Sequence, residues 1–429
     1  MGGGTRTSVE RRVVHVVVDG LRGDHVDEAL TPNLHRLATT ARWYPHHRSV
    51  FPSATRVNSA SLATGCFPAS HGLHGNVIAL DEGSGLVPVP VGPPTFRERL
   101  RRATGRTLRR PTLSERLRDH GGAAGWLNSS AGAAHMQDPD GHGLLLHRNG
   151  SHRPGFAPVE GTEHLDVTYD ATGDRETTRR FCAALDAPGG YALHTLWLCE
   201  PDHSQHVMEL GSPEHRALVS AADANVADVV VTVGRMRDRG EEVLLVVCSD
   251  HGHETTDGVI PVEHLMIEAG LKADTESTEV VFASSGMGAL VYLAESASSR
   301  RDDIVDWLKR QPWCGPVFAG DALADVEHRE DGGLAIAFSM AKVDAPNRFG
   351  VPGISHVAGC RFSSIDGPGR GQHGGLGRYE TNAMLIIDDG SGKAHRIEAP
   401  TRAVDVAPTI LDFLGVAWDG ADGRPVPTR

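Results

Sequence analysis

The sequence predicts an α/β protein in which a central, mostly parallel sheet lies between helices. Short apolar runs recur along the 429 residues, each followed by a polar, acidic or glycine-rich segment. The clearest runs are RVVHVVVDG at 12–20, YALHTLWLCEPD at 191–202, EVLLVVCSDHG at 242–252 and NAMLIIDDG at 382–390. Such runs are typical of strands buried on both faces. The stretch 213–239 carries alanine and valine at helical spacing, which predicts a helix that packs on the sheet.

The chain is longer than the roughly 250–300 residues at which a single hydrophobic core stops growing. We therefore expect one large core, formed by 1–76 and 191–429, that carries an insertion. Between 77 and 190 the periodicity weakens into segments rich in Gly, Pro and Arg, which predicts an inserted cap and connecting segments that partly return to the core. The arginine-rich stretch 97–110 is interpreted as a solvated helix face or loop, with an anion-attracting rim as the alternative.

Composition excludes some classes of partner. The formal net charge of -13 repels a phosphate backbone, so long nucleic acids are not expected as partners. The apolar run 13–18 is far shorter than the roughly 20 residues that span a bilayer, and no membrane association is expected. Six cysteines are scattered without CxxC pairs, which favours free thiols and a cytoplasmic location. The sequence leaves the oligomeric state open, with a homo-oligomer among the alternatives.

The strongest polar clusters directly follow the apolar runs, at the edge where open α/β sheets bind ligands. Asp and His residues in these clusters have ligand-like spacing, and a further His lies among the glycines of GQHGG. The candidates are Asp19, Asp202, His206, Asp250, His251 and His373. Any one of them alone is as easily a turn, surface or core residue, but their shared position after strands indicates a metal site. Oxygen and imidazole ligands without thiolate suit zinc, with manganese or iron less favoured.

The segment FPSATRVNSASLATG at 51–65 brings small hydroxyl residues to the start of a predicted helix. Thr55 is either a simple N-cap or a nucleophile. A threonine hydroxyl is protonated at neutral pH, so the second interpretation requires a metal ion on its oxygen.

Together these motifs resemble the alkaline phosphatase superfamily, in particular its nucleotide pyrophosphatase/phosphodiesterase branch and the related phosphonoacetate hydrolases. The resemblance extends over most of the chain. It rests on VDGLR at 18–22, TPNLHRLA at 31–38, FPSATRVN at 51–58, ATGCFPASHGLHGN at 63–76, EPDHSQH at 200–206, SDHGH at 249–253, GQHGG at 371–375 and DVAPTILDFLGV at 405–416. It implies an alkaline-phosphatase-like fold with an inserted cap.

The resemblance also implies roles for individual residues. One zinc would bind Asp202, His206 and His373, and a second would bind Asp19, Thr55, Asp250 and His251. Thr55 would attack phosphorus and form a phosphothreonine intermediate. Asn58 would contact a nonbridging phosphate oxygen, unless it is only a polar residue at a helix start.

The sequence departs from these relatives at the substrate positions. Arg56 stands where the phosphodiesterase branch usually has an aromatic residue, and its planar fork suits a phosphate or carboxylate. We expect it to recognise a second anionic group, with a surface salt bridge as the alternative. Trp197 is either a base-stacking residue or a core tryptophan. The paired lysines that bind the substrate carboxylate in phosphonoacetate hydrolases are replaced by Asn128, Ser129, Ser130 and Ala131.

The sequence therefore predicts a two-zinc, metal-dependent phosphoric ester hydrolase that cleaves phosphodiester or pyrophosphate bonds of a small molecule. A hydrolase of phosphonates, resembling phosphonoacetate hydrolase, or of phosphomonoesters is the alternative within the same class. A catalytically silent metal-binding homologue is the alternative from a different class. Sulfatases are excluded because SATR lacks their C/S-x-P-x-R pattern.

Overall fold

The computed structural model describes residues 11–159, 161–363 and 367–428, and its central sheet has ten strands within these ranges. The first strand, Arg11–Val18, lies between Leu193–Leu198 and Glu242–Cys248 and is parallel to both. The strand order is His395–Arg396, Arg42–Trp43, Leu385–Asp388, Glu242–Cys248, Arg11–Val18, Leu193–Leu198, Ala123–Leu127, Leu144–Leu146, His152–Arg153 and Ala157–Pro158. The predicted α/β architecture with a mostly parallel sheet is confirmed.

The first strand is apolar on both faces because helices cover the sheet on both sides. Val14, Val16 and Val18 pack into one core cluster with the helices Ala171–Asp186 and Pro213–Asp238. Alternate residues of the same strand face the other cluster, which contains the helices Thr55–Thr64 and Val406–Leu414. The remaining α-helices of the described chain are Pro32–Ala38, Pro68–His71, Phe96–Thr104, Leu113–Leu117, Ala131–Gln137, Asp202–Gln205, Val262–Glu268 and Arg301–Lys309.

One of these helices, Pro213–Asp238, is long and apolar enough to cross a membrane by length and composition. Its apolar residues pack on the central sheet and on the helix Ala171–Asp186. This packing is that of a core helix.

Smaller sheets flank the central one. An antiparallel sheet has the order Val280–Ser284, Gly288–Leu293, Leu334–Met340 and Cys314–Ala319. A second sheet has the order Lys342–Pro346, Pro352–Ala358, Glu254–Ile260 and Gly371–Gln372. Two short pairs complete the set, His47–Arg48 with Thr401–Arg402 and Val77–Asp81 with Leu86–Pro90. The second sheet carries the glycine-rich segment of His373 toward the carboxyl edge of the central sheet.

The segment 77–190 divides between these layers. Its hairpin, Val77–Asp81 with Leu86–Pro90, packs on the antiparallel sheet that begins at Val280. By contrast, Ala123–Leu127 and Leu144–Leu146 are strands of the central sheet. The segment thus supplies both covering and core structure, while its boundaries at 77 and 190 stay a prediction.

Candidate active site

Three aspartates meet at the carboxyl edge of the central sheet, where the first strand and its two neighbours end. The backbone itself joins them, since the Asp202 amide donates to the Asp19 carbonyl at 3.1 Å. The Gly20 amide donates to Asp250 Oδ1 at 3.0 Å. Gly20 has a φ of +70°, a conformation that glycine adopts without strain, so the chain turns away from the sheet directly after Asp19.

The first predicted ligand set forms an almost equilateral triangle. His206 Nε2 lies 3.3 Å from Asp202 Oδ1, and His373 Nε2 lies 3.4 Å from the same oxygen. The two imidazole nitrogens are 3.3 Å apart. Ligand atoms bound about 2 Å from a tetrahedral zinc ion are separated by about 3.3 Å. The spacing of these three atoms therefore fits one divalent cation.

The second predicted set surrounds His251. Its Nε2 lies 3.0 Å from Thr55 Oγ1, 3.2 Å from Asp250 Oδ2 and 3.6 Å from Asp19 Oδ1. The same nitrogen is 4.0 Å from Asp202 Oδ1, so the two sets share one pocket. All seven predicted ligand side chains converge, although their role as metal ligands stays a prediction.

The carboxylates of this pocket lack the partners that buried oxygens require. Asp19 Oδ1, Asp202 Oδ1 and Asp250 Oδ2 are buried and accept no hydrogen bond from the described residues. A buried ionised oxygen without a partner is costly, unless a cation satisfies it. The donor set of oxygen and imidazole nitrogen suits a divalent metal ion. Unpaired atoms and donor chemistry together make this pocket a candidate metal centre.

The protonation of the aspartates reflects their crowding. Burial raises the pKa of Asp19 well above its ordinary value, and the charges of Asp250 and Asp202 raise it further. Burial also raises the pKa of Asp250 to about 7. Burial acts on Asp202 in the same direction, but the facing His206 outweighs it and lowers the pKa of this carboxyl. The pocket therefore concentrates negative charge that bound cations would offset.

Backbone carbonyls fix the tautomers of three histidines. The Nδ1–H groups of His251, His253 and His373 donate to the carbonyls of Gly252, Gly20 and Ser53 at 3.0, 3.3 and 2.7 Å. A carbonyl can only accept a hydrogen bond, so the proton is assigned to Nδ1 and the lone pair to Nε2. This pattern is the one found around metal-bound histidines.

His253 belongs to this group of histidines, although no role was predicted for it from the sequence. Its Nε2 lies 3.1 Å from Asp202 Oδ1, and burial lowers the pKa of the ring to about 3. A Cβ on Gly20 would lie only 2.6 Å from His253 Cε1, so the glycine makes room for the ring. The motif SDHGH contained the signal, a second His two residues after His251. Strand geometry alone does not tell that the turn at Gly252 brings both rings to one pocket.

Trp197 lies on a buried strand, whereas a base-stacking residue would lie on the surface of the cavity. It is fully buried on a central strand and does not line the cavity. Its indole N–H donates to Asp19 Oδ2 at 2.8 Å, and Ser129 donates to the same oxygen at 3.1 Å. Trp197 holds the rear oxygen of Asp19 and leaves Oδ1 for the pocket, and the stacking interpretation stays a prediction. The position of Trp197 agrees with the alternative of a core tryptophan.

Asn58 also differs from its expected place. It is buried, accepts from the Val50 amide at 2.9 Å and donates to the Ala54 carbonyl at 3.1 Å. Its amide thus closes the loop that precedes Thr55 and does not line the cavity. Asn76 does line the cavity, and its Oδ1 is buried without a hydrogen-bond partner. Asn76 ends the motif HGLHGN, which the sequence analysis noted without assigning it a role.

A cavity of about 540 Å³ opens above the metal centre. Thr55, Asp202, His206 and His373 line its base. Residues of the 77–190 segment, such as Pro93, Ser130 and Tyr169, also line it, together with later residues such as Ser285 and Phe362. The volume suits a small-molecule substrate.

Thr55 lies beside Asp and His residues at the carboxyl edge of the central sheet. This arrangement is that of the alkaline phosphatase superfamily. More closely, the chain belongs to the type I phosphodiesterase / nucleotide pyrophosphatase family, whose sequence profile matches residues 13–331. The expected enzyme class, metal-dependent phosphoric ester hydrolases, is confirmed at the level of the family.

Known proteins resemble the chain in sequence and in fold. Venom phosphodiesterase 2 of Crotalus adamanteus is 36% identical over 63 residues, which are 14% of this chain and 8% of that protein. An uncharacterised pyrophosphatase/phosphodiesterase of Schizosaccharomyces pombe is 25% identical over 253 residues, 57% of this chain and 45% of that protein. The matched segments thus span less than half the length of either relative.

Solved structures match along almost the whole chain. Murine ectonucleotide pyrophosphatase/phosphodiesterase 5, an inactive variant in complex with AMP, superposes with a TM-score of 0.67 at 16% identity. The match covers 96% of this chain and 97% of the murine chain. The human counterpart gives 0.66 at 14% identity, covering 98% and 97%. At these identities the likeness confirms the alkaline-phosphatase-like fold alone.

Proposed function

We propose that this chain is a two-zinc hydrolase that cleaves phosphodiester or pyrophosphate bonds of a small molecule through a phosphothreonine intermediate. The observation that carries the proposal is the position of the Thr55 hydroxyl, 3.0 Å from His251 Nε2, at the base of an open cavity. Family membership supports the reaction class. The AMP bound to the murine neighbour is consistent with a small phosphate ester.

The residues that would hold the ions are divided as the sequence motifs predict. Asp202, His206 and His373 would hold one ion, and Asp19, Thr55, Asp250 and His251 would hold the other. When bound, the two cations supply Lewis acidity, which lowers the pKa of a coordinated hydroxyl and neutralises charge on phosphorus oxygens. Zinc fits the donors best, with manganese or iron as alternatives.

The chain itself supplies the nucleophile and its orientation. Thr55 Oγ1 forms a bond to phosphorus while the bond to the leaving oxygen breaks, and the hydroxyl proton is lost to solvent. Water then attacks the phosphothreonine, the bond between phosphorus and Oγ1 breaks, and Thr55 is regenerated. Ser53 and Asn58 keep the loop in place, because the Ser53 hydroxyl donates to the Gly375 carbonyl and the Asn58 amide donates to the Ala54 carbonyl beside Thr55.

A phosphonate or phosphomonoester hydrolase is the second candidate. One observation favours it, since the cavity wall contains the cation of Arg56 next to Thr55. An extra positive charge suits substrates with more than one negative charge.

Six free cysteines fit a reducing compartment, so we also propose a cytoplasmic location.

Purified zinc-loaded protein tests the reaction. An aryl nucleotide diester, an aryl phosphate and a phosphonoacetate are supplied in parallel, and the proposal expects the diester to react fastest. Thr55→Ala should lower the turnover number by about a thousandfold or more while zinc content stays unchanged. Thr55→Ser, which keeps a hydroxyl, should retain part of the activity. Full activity in Thr55→Ala would reject the nucleophile, and a wild-type protein inert toward all three esters would favour the silent homologue.

A further inference from the structure

Arg56 is a half-buried cation that has no ionic partner among the described residues. It follows Thr55 directly and lines the cavity. Its Nε is buried and has no hydrogen-bond partner, and its guanidinium makes no hydrogen bond or ion pair with the described residues. A guanidinium in this setting loses hydration without recovering hydrogen bonds, which is costly unless a bound group supplies the acceptors.

Two glycines shape the space around this guanidinium. A Cβ on Gly132 would lie 2.9 Å from Arg56 Nε, and one on Gly92 would lie 3.2 Å from Arg56 Nη2. The side chain therefore rests against backbone at a defined position on the cavity wall. Such a preorganised fork matches the two oxygens of a carboxylate or phosphate.

Ser130 extends the same wall. Its hydroxyl is buried without a hydrogen-bond partner, and the residue lines the cavity together with Arg56. A hydroxyl and a guanidinium Nε without partners among the described residues thus line the same cavity.

Several other arginines of the segment 77–190 are engaged with acidic or amide side chains. Arg99 and Arg101 pair with Glu82 and Asp140 at 2.6 and 2.5 Å. Arg148 donates to the Asn128 side chain at 3.0 Å. In the described ranges, Arg56 is the sole lysine or arginine that lines the cavity. The arginine-rich stretch 97–110 thus contributes no cation to this lining.

We propose that Arg56 and Ser130 bind a second anionic group of the substrate, a carboxylate or a phosphate. This inference rests on the proposed function, and it narrows the substrate to phosphate esters that carry a further negative charge near the scissile phosphorus. A nucleobase is the less favoured occupant of this wall. The ring of Tyr169 there already contacts the Arg148 guanidinium at 3.9 Å and the His203 ring at 4.5 Å.

Three p-nitrophenyl diesters that differ only in the second alcohol test the subsite. The ethyl ester is neutral at that group, whereas the 2-carboxyethyl and 2-phosphoethyl esters add the two candidate anions. We expect wild-type protein to prefer an anionic ester in kcat/KM, and we expect Arg56→Met to reduce that preference by about 10- to 100-fold. The anionic ester whose preference falls more in Arg56→Met identifies which anion, carboxylate or phosphate, the subsite binds. Arg56→Lys keeps the charge but loses the planar fork. Its preference for the anionic ester should lie between those of wild type and Arg56→Met.

Arg102→Met is the matched control, since Arg102 is exposed on the helix Phe96–Thr104 and does not line the cavity. It should keep the wild-type preference. An unchanged preference in Arg56→Met, with zinc content and thermal melting equal to wild type, would overturn the subsite while the proposed function stands. If none of the three esters is cleaved, the proposed function fails. Calorimetric binding of the same esters to zinc-loaded Thr55→Ala and Thr55→Ala/Arg56→Met then decides the subsite alone, and equal affinities would reject it.

Discussion

Ser53 Oγ accepts a hydrogen bond from the Gly374 amide at 2.9 Å, although the two residues lie 321 positions apart in the chain. The same hydroxyl donates to the Gly375 carbonyl at 3.0 Å, and the Ser53 carbonyl accepts from His373 Nδ1 at 2.7 Å. The loop that presents Thr55 is therefore bonded directly to the loop that presents His373. The proposed nucleophile and a proposed metal ligand are thus positioned as a unit.

Ser53→Ala should loosen this junction. The variant removes the hydroxyl's hydrogen bonds, including a 3.3 Å contact with Glu380 Oε2, and leaves the Gly374 amide unsatisfied, while the carbonyl that fixes His373 remains. We expect kcat to fall by about tenfold and zinc affinity by a similar factor, as for other groups that orient metal ligands. A chelator competition titration measures the affinity. Ser49→Ala is the control, because Ser49 is equally buried but its hydroxyl has no hydrogen-bond partner. Equal losses in both variants would contradict the junction.

Trp197→Phe should weaken metal binding without affecting substrate stacking. Phenylalanine keeps the ring but loses the N–H that holds Asp19 Oδ2 at 2.8 Å. We expect zinc affinity to fall by about 10- to 100-fold, with KM for an aryl nucleotide diester changed little once zinc is saturating. Trp126→Phe is the control, since Trp126 is also buried on a central strand, contacts the rings of Phe181 and His194, and is not among the described residues that line the cavity. A raised KM with unchanged zinc affinity would restore the stacking role.

The sequence was sufficient for the strands and for the convergence of the predicted ligands, because apolar runs and the polar residues after them obey local rules. Asp19, Asp202 and Asp250 each follow a strand that is buried on both faces, so their meeting at one edge follows from parallel pairing. The places of Trp197 and Asn58 stayed open between two alternatives, because chain position does not say which side of a strand or helix faces the cavity. His253 and Asn76 depend on turns at glycine, whose geometry no periodicity encodes.

Removal of the metal ions and removal of the Asp250 charge should change the melting temperature in opposite directions. Chelation of wild-type protein leaves the carboxylates of Asp19, Asp202 and Asp250 facing one another, so we expect a lower melting temperature that added zinc restores. Asp250→Asn keeps the acceptor for the Gly20 amide and places an N–H toward His251 Nε2. The metal-free variant should therefore melt above metal-free wild type, yet gain less from zinc. Calorimetric scans with and without zinc measure the crossing, and a metal-free variant that melts below metal-free wild type would contradict it.

His15 should make the fold sensitive to acid. It is fully buried on the first strand, with Nδ1 lacking a hydrogen-bond partner, and burial lowers its pKa from 6.5 to about 4. Between those values the unfolded chain binds a proton that the folded chain does not, so stability falls as the pH falls through this window and is unaffected by His15 above it. His15→Leu removes this titration. From about pH 7 to about pH 4.5, wild type should lose roughly 2–3 kcal/mol of unfolding free energy relative to the variant. Guanidinium unfolding at both pH values measures it, with His120→Leu, an exposed histidine, as the control. Parallel pH profiles for wild type and His15→Leu would show that the proton is taken up elsewhere.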